Sequence, residues 1–359
     1  MQKTNVRFVD PSKSPFHKVL QKRVNQYYKE KGISRYGNAQ MIFKSVVLLS
    51  TYVVPFVVML AFPIPWPISL LLWALMGFGL AGVGMGVMHD ANHGSYSQNK
   101  VVNNLMAFSL NMAGGSILTW KLQHNVLHHT YTNVCGMDDD IEDKLFLRFS
   151  PHTTKKWYHK AQQVYAFLFY GITTLYWVTA KDFIQLAKYT GNKVNKQTAK
   201  ENRISLIKMI LVKVGYYLVF FGLPIFVFNM PFYQLLLGFL LMHFIAGITL
   251  TTVFQLAHSI EETNHPLPDD KGIIEDNWAM HQIRTTANFS KKSKFLTWYL
   301  GGLNYQIEHH LFPNICHIHY PDIAPIVKKT AEEYELPYVE HKTFVKALES
   351  HIGLMRKIA

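Results

Sequence analysis

Residues 41–62 and 68–88 are two apolar runs separated by Pro63-Ile64-Pro65-Trp66-Pro67, and residues 209–229 and 233–256 form a second such pair around Asn229-Met230-Pro231. The first run carries one charge, Lys44, and the second carries none. Each is close to the ~20 residues a helix needs to cross a bilayer. Buried helices of a soluble protein could explain one such run but hardly four arranged as pairs. The expected fold is therefore an all-α integral membrane protein with four transmembrane helices in two hairpins. Domain boundaries follow: an interfacial N-terminal segment over 1–40, a membrane domain over 41–325 and a C-terminal tail over 326–359.

Charge sets the expected orientation. Both hairpin tips lack Lys and Arg, whereas residues 1–40 hold nine of them and most of the rest lie in 89–205 and 257–359. The excess of Lys and Arg in cytoplasmic segments places both termini and the middle region on the cytoplasmic side. The same rule, with attraction to anionic headgroups, accounts for the net charge of +13. No nucleic-acid-binding motif accompanies that charge, so nucleic acid is not an expected partner. Cys135 and Cys316 are too few for a disulfide framework and suit a reducing compartment. The first 40 residues are polar and basic rather than a cleavable signal, which leaves the first apolar run as its own insertion signal.

Between the spans, residues 17–31 mix Val19, Leu20, Val24, Tyr27 and Tyr28 with basic side chains, as an interfacial helix does. Residues 105–119 contain Asn111, Gly114 and Gly115 and suit a helix lying at the interface better than a span. Residues 157–190, rich in Tyr, Phe and Trp, read as an interface belt. A fifth span at 161–180 would put His309 and His310 on the opposite face from His89 and His93, so it is rejected. Residues 191–205 read as a polar linker.

Eight histidines carry the chemistry. They fall in His89-Asp90-Ala91-Asn92-His93, in His124-Asn125-Val126-Leu127-His128-His129, in Gln306-Ile307-Glu308-His309-His310, and singly at His258. On a helix, residues three and four apart share a face, so each cluster can aim two or three imidazoles at one point. Imidazole suits iron, copper and zinc, while magnesium and calcium want oxygen. Eight imidazoles are too many for one ion and right for two. A ligating imidazole usually donates its other N–H to an acceptor; Asp90, Glu308 and the run Asp138-Asp139-Asp140 are the acids placed to serve, although the run also suits surface solvation.

Other chemistries lack their motifs. A carboxylate di-iron bundle would repeat Glu-x-x-His, and the one match, Glu262 to His265, is broken by Pro266. HExxH, a P-loop, GxGxxG after a strand and GxSxG are all missing. His243, inside the fourth run, reads as structural. A redox metal pair beside an apolar interior suggests activation of dioxygen against a hydrocarbon, with electrons supplied from outside.

HDANH, HNVLHHTYTN and NYQIEHHLFP resemble the three histidine boxes of the membrane-bound fatty acid desaturases, and the glutamine opening the third box is similar to the front-end branch and its sphingolipid relatives. The resemblance covers about residues 40–325. It implies two iron ions held by His89, His93, His124, His128, His129, His258, His309 and His310, with dioxygen as co-substrate. It also implies a cytosolic helical cap over the four helices and an acyl tunnel for a fatty acyl substrate carried on CoA or a lipid.

Two departures qualify this. Gln306 stands where many desaturases have histidine; it can bind iron, act through water or only hydrogen-bond. No HPGG haem motif is present, which implies a separate electron donor of the ferredoxin or cytochrome b5 type. Arg148, Lys155, Lys156, Arg284, Lys291 and Lys292 could meet CoA phosphates or could equally be positive-inside charges. A hydroxylase on the same scaffold differs in the fate of the substrate. A histidine-rich transporter would put its ligands at the bilayer midplane, whereas the clusters here follow the ends of the spans.

Overall fold

A computed structural model describes residues 6–10, 14–142 and 146–359. The described chain is mostly helical, with only four two-residue strands. Four helices are long and apolar enough to cross a membrane: Ala39–Ala61, Trp66–His93, Ala199–Phe226 and Phe232–His258. The chain divides into two compact units, one of Asn38–Leu122 with Phe167–Thr252, the other of the described residues up to Gly37 with Gln123–Ala166 and Val253–Ala359.

The first unit is built on close helix packing. Asn38 starts the first long helix by accepting from the backbone N–H groups of Gln40 and Met41. Glycines then let backbones meet. A Cβ on Gly79 would lie 2.6 Å from the Tyr52 nitrogen, and one on Gly247 would lie 2.6 Å from the Tyr170 carbonyl oxygen. Small residues at such crossings are the usual basis of tight packing in membranes.

Two helix boundaries differ from the sequence reading. The third long helix starts at Ala199, ten residues before the expected 209, because Thr198 and Glu201 form a reciprocal capping box ahead of the apolar run. The second continues to His93 through a wider, π-helical turn at Val83–Met88, so the long helix runs past the expected end at 88 and His89 and His93 form its last turn. Gly94, at φ 74°, ends it.

Residues 105–119 do not form one helix. Helices Lys100–Met112 and Ile117–Tyr131 meet at a bend of 105°, where Gly114 has φ 76° and Ser116 caps the second helix. The bend is held by a buried ion pair that the sequence reading missed. Asp182 Oδ2 accepts from the Ser116 N–H (3.1 Å) and from Lys213 Nζ (2.9 Å). Its Oδ1 accepts from the Thr119 hydroxyl (2.7 Å) and the Trp177 indole (2.9 Å). Lys213 also donates to the carbonyls of Gly114, Trp177 and Val178. His243 is structural, as read: it meets the Tyr216 hydroxyl at 3.0 Å and the Thr174 hydroxyl at 3.1 Å.

The second unit gathers its core from distant segments. Helix Phe16–Lys31 buries Phe16, Leu20 and Val24 against Ile283, Ile307, Ile323 and Val327. Its apolar stripe therefore faces protein core, a correction to the interfacial reading; the stripe's periodicity was right and its partner was not legible from periodicity. The C-terminal helices Tyr320–Glu333 and Phe344–Lys357 belong to this same unit, and the first of them passes through residue 326.

Candidate metal centre

Within the second unit, five histidines crowd together from three segments. His128 ends a π-helical turn over Lys121–His128 and His129 follows it, His258 is the last residue of the fourth long helix, and His309 and His310 lie on the short helix Gln306–Leu311. Wide turns of the π type occur mostly at functional sites; here one lets consecutive His128 and His129 both point inward. Ligand nitrogens of His128, His258 and His310 lie within 4.8 Å of one another, as do those of His129, His309 and His310. His124 joins them, its Nε2 standing 3.2 Å from that of His129. All five of the crowded rings are buried, three of them fully.

The outer ring nitrogens show how the rings are aimed. His128 Nδ1 meets Asp138 Oδ2 at 3.0 Å, and His310 Nδ1 meets Gln282 Oε1 at 2.7 Å. His309 Nδ1 meets the Tyr320 hydroxyl at 3.1 Å, and His258 Nδ1 meets the Thr285 carbonyl at 3.3 Å. Carboxylate, carbonyl and amide oxygens accept, so they hold the proton on Nδ1 and leave the Nε2 lone pair facing the cluster. Metal-bound histidines show this outer pairing almost always.

The spacing also suits an ion. Two nitrogens each about 2.1 Å from one metal stand roughly 3.0–3.4 Å apart, which brackets the His124–His129 separation of 3.2 Å. The Gln306 side-chain nitrogen lies 2.9 Å from His258 Nε2, while its buried oxygen has no hydrogen-bond partner. Turning the amide over would bring that oxygen to the same place, since amide O and N are interchangeable in shape. The residues present therefore fit a metal centre.

His89 and His93 lie in the first unit, ring centroids 4.8 Å apart and both edge-on to Trp120. The acids divide. Asp138 orients His128, and Asp140, 3.9 Å from the same nitrogen, also takes a hydrogen bond from Gln123. Asp90 is 3.9 Å from His89 Nδ1, beyond hydrogen-bond reach.

Glu308 orients no ring: its oxygens accept from the Tyr338 hydroxyl at 2.7 Å and Asn288 Nδ2 at 2.8 Å. Adjacent positions on a helix diverge by about 100°, so a residue next to His309 points elsewhere. Burial pushes the Glu308 carboxyl up, against the pull of Tyr338, Lys291 and Asn288. Gln282, Thr285 and Tyr320 went unnoticed in the sequence because nothing in their spacing marks them; only the fold brings them to the rings.

Arg148 is corrected as a phosphate ligand. It is buried and donates to the backbone carbonyls of Thr153, Pro151 and Ile358, so its guanidinium is committed to holding the chain. Lys291 is engaged with Tyr338 and Glu340, and Arg284 lies 3.6 Å from Asp276.

The family model described as fatty acid desaturase matches residues 64–342. The chain is 36% identical over 343 residues to an sn-1 linoleoyl-lipid 6-desaturase of Synechocystis sp., covering 94% of each. This chain belongs to the fatty acid desaturase family. It is likewise 35% identical to an enzyme of the same name from Arthrospira platensis, covering 96% of this chain and 92% of the relative. An acyl-lipid (8-3)-desaturase of Physcomitrium patens is 34% identical, covering 99% of this chain and 74% of the relative. The desaturase is an oxidoreductase acting on fatty acyl chains in a membrane setting, and its histidine clusters match the histidine boxes read from the sequence.

Proposed function

We propose that this desaturase is a front-end enzyme that inserts a double bond into a fatty acyl chain carried on a membrane lipid. Two irons would be held by His89, His93, His124, His128, His129, His258, His309 and His310, with Gln306 beside them. The observation that carries the metal reading is the aim of the rings: Asp138, Gln282 and Thr285 accept from the outer nitrogens of His128, His310 and His258 and turn their inner lone pairs to the cluster, while His309 meets the Tyr320 hydroxyl. The lipid carrier is inferred from the names of the three relatives above, which are an acyl-lipid desaturase and two linoleoyl-lipid desaturases.

Bound there, iron supplies reductive activation of dioxygen against an unactivated C–H bond. The protein's own residues position and exclude. Buried imidazoles with fixed tautomers need no reorganisation to bind, and the absence of solvent around them limits side reactions. Two electrons and two protons from outside, with two hydrogens from the acyl chain, reduce one dioxygen to two waters. The four long helices are taken as two hairpins under a cytosolic helical cap, with both termini and the metal centre cytoplasmic, on the charge distribution. The electrons then come from a separate ferredoxin or cytochrome b5 on that face.

Expression in a host with a simple lipid profile tests this. The product is expected to be lighter than its precursor by two hydrogens, with the double bond towards the carboxyl end of a chain still esterified to the lipid. A product heavier by one oxygen selects a hydroxylase, and purified protein that binds no iron refutes the metal assignment.

A further inference from the structure

A second buried polar cluster lies within the same unit, between the surface and the third histidine box. Lys291 Nζ contacts the Tyr338 hydroxyl at 3.2 Å, and that hydroxyl donates to Glu308 Oε1 at 2.7 Å. Asn288 Nδ2 bonds both partners, 2.8 Å to each. Glu308 is joined to His309 by one peptide bond. Above this chain, Lys291 and Lys328 sit over the Tyr338 ring, 4.9 and 5.7 Å from its centroid, and both reach Glu340. Lys292, Lys294, Lys329 and Lys342 stand exposed around them in the chain, and Phe295 among them is 69% exposed.

Neither a packing role nor a solubility role accounts for the whole arrangement. A buried carboxylate with its own tyrosine, amide and lysine is costly to assemble, and an exposed phenylalanine set among lysines is the make-up of an interface anchor with a charged rim. One end of the arrangement is an exposed basic surface and the other is bonded to a histidine of the metal cluster.

We propose that this surface docks an acidic one-electron carrier, and that Tyr338 and Glu308 form the bonded route by which its electrons reach His309. The inference rests on the metal reading above. Phe295 seats the partner, Lys292 and Lys294 steer its carboxylates, and the neighbouring Lys291 contacts Tyr338. Each docking event oxidises one carrier by one electron. Two events per double bond supply the two electrons that, with two protons from water, complete the reduction of dioxygen. Charge complementarity at such a rim acts chiefly on association rate and salt dependence.

The full-length protein in nanodiscs, with iron content measured first, tests the surface and the route separately. Binding of a plant-type ferredoxin and of a soluble cytochrome b5 domain is titrated against ionic strength. Lys292→Glu with Lys294→Glu is expected to weaken the better of the two by about tenfold at low salt and to flatten its salt dependence, at unchanged iron content. Tyr338→Phe should leave that affinity unaltered and slow stopped-flow oxidation of the bound carrier several-fold. Wild-type affinity and salt slope in the charge-reversed protein overturn the docking surface. Loss of binding to anionic vesicles without loss of carrier affinity overturns it too, and assigns the patch to lipid headgroups. Carrier oxidation at the wild-type rate in Tyr338→Phe overturns the route. Wild-type protein without iron would instead refute the metal reading, while carrier affinity could still be measured.

Discussion

Replacing Asp182 by asparagine should destabilise this protein more than any other single exchange of equal volume outside the histidine cluster. Asp182 is fully buried, the Lys213 side chain is 6% exposed, and the carboxylate accepts from four donors on three segments. Asparagine keeps one acceptor oxygen and turns an N–H group towards the other pair of donors. Either Thr119 and Trp177 or Ser116 and Lys213 then lose their acceptor. Lys213 is also left as a buried cation facing only the carbonyls of Gly114, Trp177 and Val178. Removing one partner of a buried pair costs on the order of 3–5 kcal/mol. Removing both charges, as in Asp182→Asn with Lys213→Met, should restore about 2 kcal/mol of that, because the uncompensated cation goes with it.

The assay is SDS unfolding in mixed micelles for the two single variants and the double one. The bend held by this pair introduces the helix Ile117–Tyr131, which bears His124, His128 and His129, so iron content should fall with stability in Asp182→Asn. Wild-type stability for Asp182→Asn, within about 1 kcal/mol, would falsify the account of the bend. So would strictly additive effects of the two exchanges.

Asp138→Asn should lower metal affinity by about 10- to 100-fold, since His128 loses the carboxylate that fixes its tautomer; affinity is read by competition with a chelator. Gln306→Ala should cut turnover more than it cuts metal content or stability, and unchanged turnover would make Gln306 a packing residue. A Gly247→Leu exchange should prevent accumulation of folded protein, because even its Cβ would meet the Tyr170 and Gly171 carbonyl oxygens at 2.6 and 2.7 Å; size-exclusion profiles check this. Burial holds the His351 imidazole down to about 4, below its usual 6.5, so the unfolded chain binds its proton first. The stability this contributes is present above about pH 6.5 and is lost as pH falls towards 4, on the order of 3 kcal/mol in all. His351→Gln should flatten that acid limb of the unfolding curve.

The sequence by itself determined the four long helices, because about twenty apolar residues with at most one charge leave the backbone one way to satisfy itself in a bilayer. It determined the family too: three histidine clusters are legible in the sequence, and the fatty acid desaturase model matches across all of them. The early start at Ala199 follows a local signal as well, the Thr198–Glu201 capping box.

What only the tertiary structure decided are partners far apart in the chain. Nothing near His310 indicates that Gln282 would hold its ring, or near Lys213 that Asp182 would neutralise it. Helix periodicity assigned Phe16, Leu20 and Val24 to an apolar face, but whether lipid or protein covered that face depended on residues some three hundred positions away. Glu308 makes the same point in reverse. Its place in the third box suggested service to the histidines, and the helix turned it towards Tyr338 instead. Spacing along a chain fixes which side chains share a face, while what that face meets is set by packing that sums over the whole molecule.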